Sequence, residues 1–462
     1  MNLRTRDQLL KQIARLVKQN RELDAKNQKL EHERLALLSD NEKFRMALEK
    51  HNLTAEECDE KEVQVRFSMA TVLFADIRGF SKLIQQIDSS NVMDELDEII
   101  FEFDRIIGKY HIHKIKTIGD TYMCVGGIPE KNSTNPVDVV LAAVEMRNFL
   151  ESFELNRRGP EKIWELKIGI HTGPVIAAVS GKKKVSYDVK GETVNISSRI
   201  EAVSARGKIL ISAMTYELVK EFFSCSMFGR LPVKYIGDVP LHQVSGILPE
   251  LSLDGRGQEP DKLFRTKFGL IRFYDIQEVI LDKLEKELPQ NLFYHNVKHT
   301  VDVVTEVELI GWAEGCNDEE ILLLKTAALF HDTGFTVAYD NHEYNGTLIA
   351  REMLPGYGYT TDQTERICKI IMATKLPPSP VGLLEEIICD SDLDYLGRSD
   401  FIPVSNTLYE ELRSQNKIGS FNDWNKMQLK FIRGHQYFTA TARSLREVNK
   451  QHQTERLLSL IE

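Results

Sequence analysis

The sequence predicts a multidomain protein in which a coiled coil precedes an α+β domain and an all-α domain. Three observations lead to this fold class. Leucine recurs every seven residues over 1–50, strand-like and helical patterns alternate over 67–248, and only helical periodicity is found over 276–462. Two polar stretches, 51–66 and 249–275, are predicted to be the linkers between these domains.

The N-terminal segment has the heptad pattern of a coiled coil. Its seventh-residue positions hold Leu9, Leu16, Leu23, Leu30, Leu37 and then Phe44. The facing positions include Asn20, Asn27 and Asn41, and asparagine there favours two parallel helices in register. Because the leucine seam of a single helix would stay exposed, we expect residues 1–50 to form a parallel dimer.

The composition excludes several classes of function. The 462 residues are 42% hydrophobic and 28% charged, as in globular proteins, and the net charge of -10 disfavours nucleic acid as a partner. No uncharged apolar run reaches the length of about 18 residues that a membrane span needs. The N-terminus is too polar for a secretory signal, and the six cysteines show no CxxC spacing, which indicates reduced thiols. We therefore expect a cytoplasmic protein.

Two strand-like segments of the central domain run next to an aspartate. Asp76, in "LFADIRGFS", follows an apolar strand, and Asp120, in "KTIGDTYMCVGG", occupies the Gly-Asp turn of a predicted β-hairpin. Carboxylates bind Mg²⁺, and two of them can hold a metal pair for phosphoryl chemistry. The backbone N–H groups of residues 77–81, which include Gly79 and Phe80, could bind phosphates. Each motif alone also fits an ordinary cap or turn aspartate.

Four motifs in this order, "FADIRGFS", "KTIGDTYMCVGG", "KIGIHTGPVIAAVSG" and "YDVKGETVNISSR", resemble the catalytic domain of class III nucleotidyl cyclases. The resemblance implies a ferredoxin-like α+β fold for residues 67–248 that is active only as a dimer. It also implies conversion of a nucleoside triphosphate to a 3′,5′-cyclic monophosphate and pyrophosphate, with two Mg²⁺ or Mn²⁺ ions at each site.

The resemblance assigns roles to single residues. Asp76 and Asp120 would bind the metals, and the carbonyl of Ile77 would face one of them. Lys116 and Asp188 stand at the base-selecting positions. There a lysine donates to adenine N1 and a carboxylate accepts from the adenine amino group, so the resemblance implies ATP as the substrate.

Two further residues would act on the sugar and the phosphate. Asn195 would orient the ribose, and Arg199 would stabilise charge on the α-phosphate. They are four residues apart and share a helix face. In this family one chain gives the metal ligands and its partner gives the base and transition-state contacts. Because this chain carries both sets, the resemblance implies a homodimer with two equivalent composite sites.

The chain departs from the family pattern near its last predicted hairpin. Lys234 is present, but Ile236 stands where the family often has a second lysine for the terminal phosphates. Lys234, or a lysine of the stretch 182–184, could compensate, although a solvated basic turn is the plainer interpretation of 182–184. The alternative for the whole protein is a signalling scaffold whose cyclase domain senses nucleotide without catalysis.

The C-terminal domain carries histidines and aspartates in three separate helical segments. The motifs are "FYHNVKHTVDVV", "AALFHDTGF" and "ICDSDLDYLGR", with the candidate residues His295, His299, His331, Asp332, Asp390 and Asp392. Two histidines and two aspartates can hold one divalent metal and leave positions for water.

These motifs resemble the HD superfamily of metal-dependent phosphohydrolases over residues 276–462. The resemblance implies one divalent metal (Mn, Fe, Mg or Zn) bound by His299, His331, Asp332 and one of Asp390 and Asp392. His295 would be the acid that protonates the leaving oxygen, as in cyclic-nucleotide phosphodiesterases of similar pattern.

A second metal in this domain is less well supported by the sequence. His342 could bind one, but "ATK" around Thr374 lacks a histidine of the dinuclear members. The sequence leaves the substrate open between the cyclic product of the neighbouring domain and another phosphorylated molecule. A third interpretation is a regulatory, metal-bound dimer module.

Overall fold

The computed structural model describes residues 63–78, 89–156, 164–180, 186–233 and 237–461. The predicted coiled coil at 1–50 lies outside the described residues, as do Gly79, Phe80, the lysines at 182–184, Lys234 and Ile236. The chain divides into two compact units between Glu259 and Pro260.

The first unit is built on a mixed sheet of eight strands. The strands are β1 (Val63–Arg78), β2 (His113–Ile118), β3 (Thr121–Gly126), β4 (Glu165–Ser180), β5 (Ser186–Lys190), β6 (Lys208–Ser212), β7 (Phe223–Val233) and β8 (Gly237–Ile247). Their spatial order is β2-β3-β1-β4-β6-β8-β7, with β5 paired to β4. Among the described strands, only β4 and β6 pair in parallel.

In the described part of this unit, four α-helices accompany the sheet. They are α1 (Ser89–Lys109), α2 (Asn135–Asn156), α3 (Glu192–Val203) and α4 (Ala213–Val219). The order β1-α1-β2-β3-α2-β4, with the four strands arranged β2-β3-β1-β4, is the ferredoxin-like arrangement. The α+β fold predicted for this region is therefore confirmed.

The centre of the sheet explains where the first candidate aspartate lies. Residues 70–77 of β1 are all buried, because helices cover this strand while β3 and β4 flank it on both sides. A strand buried on both faces reads as a nearly continuous apolar run, and "ATVLFA" has that pattern. Asp76 follows this run directly, so the carboxylate of Asp76 lies at the edge of the core.

The second unit is all-α, as predicted. Its helices are α5 (Lys262–Glu287), α6 (Val297–Ala313), α7 (Asp318–Phe330), α8 (His342–Met353), α9 (Thr361–Ala373), α10 (Leu383–Asp392), α11 (Phe401–Ser414), α12 (Phe421–Gly434) and α13 (Ala440–Ser459). No strand is found in residues 260–461. Among the described helices, none is long and apolar enough to cross a membrane.

The linker predicted at 249–275 is wrong over much of its length. Helix α5 begins at Lys262, where the side chain of Asp261 accepts a hydrogen bond from the backbone N–H of Phe264. Phe264, Phe268 and Phe273 are buried, so the segment is an amphipathic helix that packs into the unit. The charged residues between these phenylalanines made the segment look like a polar connector.

One glycine sets the distance between α3 and the sheet. A Cβ atom added to Gly169 of β4 would lie 2.1 Å from the backbone nitrogen of Glu201 and 2.7 Å from the carbonyl oxygen of Ser197. Both atoms belong to the backbone of α3 and cannot move independently. Only glycine at this position lets the helix approach the strand closely.

We expect Gly169→Ala to lower the free energy of unfolding of the first unit by about 1–3 kcal/mol, because the added methyl group would push α3 away from the sheet. Gly108→Ala is the matched control, since no atom lies within 4 Å of the Cβ position of Gly108 in α1. Urea unfolding followed by circular dichroism measures both. Equal unfolding free energies for the two variants would contradict the close contact.

Candidate functional sites

The structure brings the two predicted aspartates of the first unit side by side. In the antiparallel pairing of β1 with β3, Asp76 stands opposite Thr121, the residue that follows Asp120. The backbone N–H of Ile77 donates a hydrogen bond of 2.9 Å to the carbonyl of Asp120. The β2–β3 turn itself needs Gly119, whose φ of 63° is favoured by glycine.

A third carboxylate, which the motif analysis missed, joins these aspartates. Glu201 of α3 is 9% exposed, and burial, followed by the charge of Asp76, raises its pKa to about 7. Thr193, Ser197 and Glu201 lie on the buried side of α3. The helical spacing of the apolar residues would have placed Glu201 on that side, and a charged residue there was the available signal.

Positive charge near these carboxylates comes from Arg78 and Lys167. Nε of Arg78 donates a 2.6 Å hydrogen bond to Oδ2 of Asp76, which is 6% exposed. The hydrogen bond and charge of Asp76, followed by the charges of Glu201 and Asp120, raise the pKa of Arg78. Lys167 stands opposite Asp76 in the β1–β4 pairing, and its charge acts on Glu201. Two cations therefore accompany three carboxylates.

This arrangement fits a divalent cation. Oε1 of Glu201 is buried and has no hydrogen-bond partner within the described ranges, so the cluster has an unused oxygen as well as excess negative charge. Hard oxygen donors are the ligands that Mg²⁺ and Mn²⁺ prefer. Asp76, Asp120 and the buried Ile77 lie where such ions would be held.

The two predicted base-selecting residues are in contact. Nζ of Lys116, on β2, lies 3.3 Å from Oδ1 of Asp188, on β5, and Lys190 approaches the other oxygen at 3.4 Å. Burial opposes the effect, but hydrogen bonds and charges of Lys116 and Lys190 lower the pKa of Asp188 overall. Both side chains of the Lys116–Asp188 pair are 46% exposed and so can reach a ligand.

Asn195 and Arg199 project from the exposed side of α3. In the part of the chain that the structure describes, no hydrogen bond or ion pair joins them to Asp76 or Asp120. Their exposure leaves them available to a second protomer.

The second unit gathers four of its predicted residues into one cluster. Nε2 of His299 lies 3.1 Å from Oδ1 of Asp392 and 3.4 Å from Nε2 of His331, which lies 3.1 Å from Oδ2 of Asp332. The side chains of His299, His331 and Asp332 are at most 9% exposed, and that of Asp392 is 19% exposed. Burial acts to raise the pKa of Asp332 and Asp392. The neighbouring His331 and His299 nevertheless lower the pKa of both aspartates overall.

The chemistry of this donor set also fits a divalent metal. Nδ1–H of His331 donates a 2.7 Å hydrogen bond to the carbonyl of Ala328, which leaves Nε2 facing the cluster. Oδ2 of Asp332 is buried, and although Nε2 of His331 lies 3.1 Å away, no donor within the described ranges has hydrogen-bond geometry toward it. His299, His331 and Asp392 form the one group of three candidate ligands that lies within 4.8 Å among the described residues.

The structure distinguishes the two aspartates that the sequence left open. Asp390 is fully buried and accepts hydrogen bonds from the backbone N–H groups of Phe438 and Thr439 and from the Thr439 hydroxyl, at 2.8–2.9 Å. Its oxygens are thus used to join α10 to the segment before α13. Asp392, two residues later, faces the histidines.

His295 is positioned by a residue that sequence reasoning missed. Glu411 of α11 is fully buried and accepts hydrogen bonds from the backbone N–H groups of Tyr294 and His295 and from Nδ1 of His295. Burial alone would lower the pKa of His295, but the bond to Glu411 and nearby negative charges raise it. Glu411 is far from His295 in sequence, within an ordinary amphipathic helix, so no motif marked it.

His342 lies at the edge of the cluster. Its Nε2 is 3.7 Å from Oδ1 of Asp332 and 3.6 Å from Oε1 of Glu343. Oδ1 of Asp332 therefore faces His342 while Oδ2 faces His331. Thr374, where the dinuclear pattern would have a neighbouring histidine, donates its hydroxyl to the carbonyl of Ile371.

Comparisons with known proteins concern the first unit. Residues 62–246 match the family model of the adenylate and guanylate cyclase catalytic domain. The chain is 37% identical over 172 residues to receptor-type guanylate cyclase gcy-8 of Caenorhabditis elegans, covering 36% of this chain and 15% of that protein. It is 32% identical over 169 residues to an adenylate cyclase of Mycobacterium bovis, covering 37% and 38%. The crystal structure of the adenylyl cyclase CyaB from P. aeruginosa has 30% identity and a TM-score of 0.37, covering 39% of this chain and 95% of that one.

Residues 62–246 are therefore a class III nucleotidyl cyclase catalytic domain, and this class uses divalent metals in catalysis. The relatives include both adenylate and guanylate cyclases, so they leave the base open. This chain spans only 15% and 38% of the lengths of the two relatives. The family match ends at residue 246, before the helical unit begins.

We expect Asp392→Asn to lower the affinity of the second unit for Mn²⁺ more than tenfold, because it removes one anionic ligand from the cluster. Asp390→Asn is the matched control. It should retain the metal but lose about 1–3 kcal/mol of stability, because one backbone N–H would lose its acceptor. Mn²⁺ titration by electron paramagnetic resonance and urea unfolding measure the two effects. An equal loss of metal in both variants would contradict the assignment.

Proposed function

We propose that the protein is a homodimeric adenylate cyclase that converts ATP to 3′,5′-cyclic AMP and pyrophosphate. The observation that carries this proposal is the pairing of Lys116 with Asp188 in a cyclase catalytic domain whose Asp76 and Asp120 lie on adjacent strands. In the reaction the ribose 3′-oxygen forms a bond to the α-phosphorus. The bond from the α-phosphorus to the bridging oxygen of pyrophosphate breaks.

The Lys116–Asp188 pair supports adenine as the base. An ammonium donor beside a carboxylate acceptor complements adenine N1 and the adenine amino group. Guanine has a donor at N1 and an acceptor at O6, so the same pair would place donor against donor. The two side chains are exposed in one protomer, and binding the base would replace water and not a buried partner.

The remaining roles follow the chemistry of each side chain. Asn195 would hold the ribose, and Arg199 would stabilise negative charge on the α-phosphate from a preformed position on α3. Gly79, Phe80 and Lys234 would contact the phosphates. Asp76 and Asp120, with the carbonyl of Ile77, would hold two Mg²⁺ or Mn²⁺ ions, which when bound polarise the phosphates and acidify the 3′-hydroxyl.

A homodimer supplies the two halves of each site. Asp76 and Asp120 of one protomer would meet Lys116, Asp188, Asn195 and Arg199 of its partner. The heptad pattern of residues 1–50 would hold the two catalytic domains together in parallel. We place this dimer in the cytoplasm on the basis of its cysteines, which show no CxxC spacing and fit reduced thiols.

A second activity is favoured by the cluster in the helical unit. We propose that residues 276–462 are an HD-type phosphohydrolase with one divalent metal (Mn, Fe, Mg or Zn) held by His299, His331, Asp332 and Asp392. His295, oriented by Glu411, would protonate the leaving oxygen. Hydrolysis of the neighbouring domain's product would let one chain both make and remove the same messenger.

We expect Lys116→Glu to reduce the ratio of kcat/KM for ATP to that for GTP at least tenfold, because the carboxylate would repel adenine N1. Lys131→Glu, an exposed charge reversal outside the site, should keep the ratio. Asp120→Ala should abolish both cyclic products while the protein stays folded. Chromatography of products from the full chain with Mn²⁺ measures all three. An unchanged ATP/GTP ratio in Lys116→Glu would refute the base-selecting role. Cyclase activity that persisted in Asp120→Ala would indicate an active site other than the one assigned by the family resemblance.

For the helical unit, the full chain carrying Asp120→Ala and loaded with Mn²⁺ should convert added cyclic AMP to AMP. The additional change His331→Ala should remove this activity more than a hundredfold, because it deletes a metal ligand. Phosphate-ester chromatography with cyclic AMP and cyclic GMP measures it. If neither is hydrolysed while Mn²⁺ is bound, the phosphodiesterase proposal fails. The nucleotide-sensing scaffold then becomes the better account only if cyclase turnover is absent as well.

A further inference from the structure

A cavity of about 310 Å³ lies beside the His299–Asp392 end of the candidate metal centre. Its walls come from α6, the end of α10, the turn at 394–397 and α11. The size is that of a pocket for a small molecule. Phe293, Tyr395 and Val404 give it an apolar side, on which a flat ring could pack.

The charged residues of this cavity are predominantly acidic. Five carboxylates line it: Asp302, Glu306, Asp392, Asp394 and Asp400. The two fixed cations of its lining are Lys298 and Arg398.

Both cations are already neutralised. Lys298 lies 2.7 Å from Asp302, and Arg398 lies 3.0 Å from Asp302 and 2.7 Å from Asp400. Since residues 260–461 are described without a gap, this unit has no further lysine or arginine in the cavity lining. A ligand with several phosphates would find no free cation beyond the metal centre.

At the inner end of the cavity, Arg446 donates hydrogen bonds to two of these carboxylates, and each carboxylate keeps one oxygen without a partner. The side chain of Asp394 is 5% exposed; its Oδ1 accepts from Arg446, whereas its Oδ2 is buried without a partner within the described ranges. Oε1 of Glu306 lies 3.3 Å from Arg446, and its Oε2 is likewise buried without a partner in that part of the chain.

These unpartnered atoms indicate the kind of group that belongs there. A buried carboxylate oxygen without a donor is unfavourable, and a bound hydroxyl or amino group would supply the missing hydrogen bond. A phosphate at this end would add negative charge next to Asp394 and Glu306. In the proposed metal centre, the two positive charges of a divalent ion would be balanced by the carboxylates of Asp332 and Asp392. The centre would then be close to neutral and could accept one anionic group.

We propose that this cavity binds a phosphate ester with a single negative charge, its phosphate at the His299–Asp392 end and its hydroxyl or amino donors against Glu306 and Asp394. The position of the phosphate rests on the proposed metal centre. The cavity thus selects phosphodiesters over nucleoside di- and triphosphates, and its carboxylates recognise the part of the molecule that carries no phosphate.

The test uses the full chain with Asp120→Ala, loaded with Mn²⁺, and equilibrium dialysis of labelled phosphorothioates that resist hydrolysis. The probes are the phosphorothioates of 3′,5′-cyclic AMP, AMP and ADP. All three contain adenosine, and their negative charge increases in that order. None of these variants changes the first unit further. The nucleotide bound by the His331→Ala variant, which lacks a metal ligand of the second unit, is therefore subtracted as the contribution of the first unit. We expect the dissociation constant to rise roughly tenfold at each step of charge.

Variants at the inner end separate recognition from folding. Glu306→Gln and Asp394→Asn should each reduce, at least fivefold, the ratio of the dissociation constant of the ADP analogue to that of the cyclic ester. Glu352→Gln, an exposed glutamate of α8, should leave it unchanged. Two analogues of the cyclic probe lack either the 6-amino group or the 2′-hydroxyl. With Asp394 present, at least one of them should bind about tenfold more weakly than the cyclic probe. In Asp394→Asn the same analogue should lose less than threefold. Circular dichroism verifies folding, and Glu306→Gln gives the answer if Asp394→Asn unfolds.

The outcomes separate this inference from the proposed hydrolase. Equal or tighter binding of the ADP analogue, or no cyclic-ester binding, would overturn the inference. Hydrolysis of cyclic AMP with a KM that is insensitive to Glu306→Gln and Asp394→Asn would also overturn it while the hydrolase stands. Charge-selective binding without product from unmodified cyclic AMP would support the cavity and reject the hydrolase.

Discussion

The pairing of β1 with β3 fixes the chemistry of the first unit. A single backbone hydrogen bond, from Ile77 to the carbonyl of Asp120, closes the ladder at the point where both aspartates emerge. Side-chain positions in a sheet alternate, so a shift of one residue would turn Asp76 to the opposite face. The buried apolar run of β1 prevents that shift, because it would move the large side chains out of the core. Core packing and the placement of the candidate metal ligands are thus one constraint.

The second unit solves a different electrostatic problem. Its histidines and aspartates are held in a largely buried cluster, where an isolated carboxylate would be strongly disfavoured. They persist because each is paired with another and because surrounding groups, such as the Ala328 carbonyl and Glu411, orient the rings. Buried ion pairs add little net stability, so such a cluster is better explained by a ligand than by folding.

The sequence predicted most of what lies next to a motif and little of what the fold brings in from elsewhere. Local strand and turn patterns point to Asp76 and Asp120, and the family resemblance points to Lys116 and Asp188. The structure brings each pair together. Glu201 and Glu411 were not identified, because their partners are distant in sequence and their own segments look like ordinary helices. The same applies to Asp390 and Asp392, since two residues of one helix differ only in which neighbours they face. The start of α5 was missed because charged residues concealed its buried phenylalanines.

The register of β1 with β4 shifts between Phe67 and Ala70, and an irregularity of this kind bends a strand. Asp188 pairs with Ala178, which is opposite Gln64 near the start of β1, whereas Lys116 pairs with Met123, which is opposite Phe74. The side chains of Lys116 and Asp188 nevertheless lie 3.3 Å apart, so the sheet curves between them. Under the proposed function, residues that set this curvature without touching the nucleotide would also affect which base is bound.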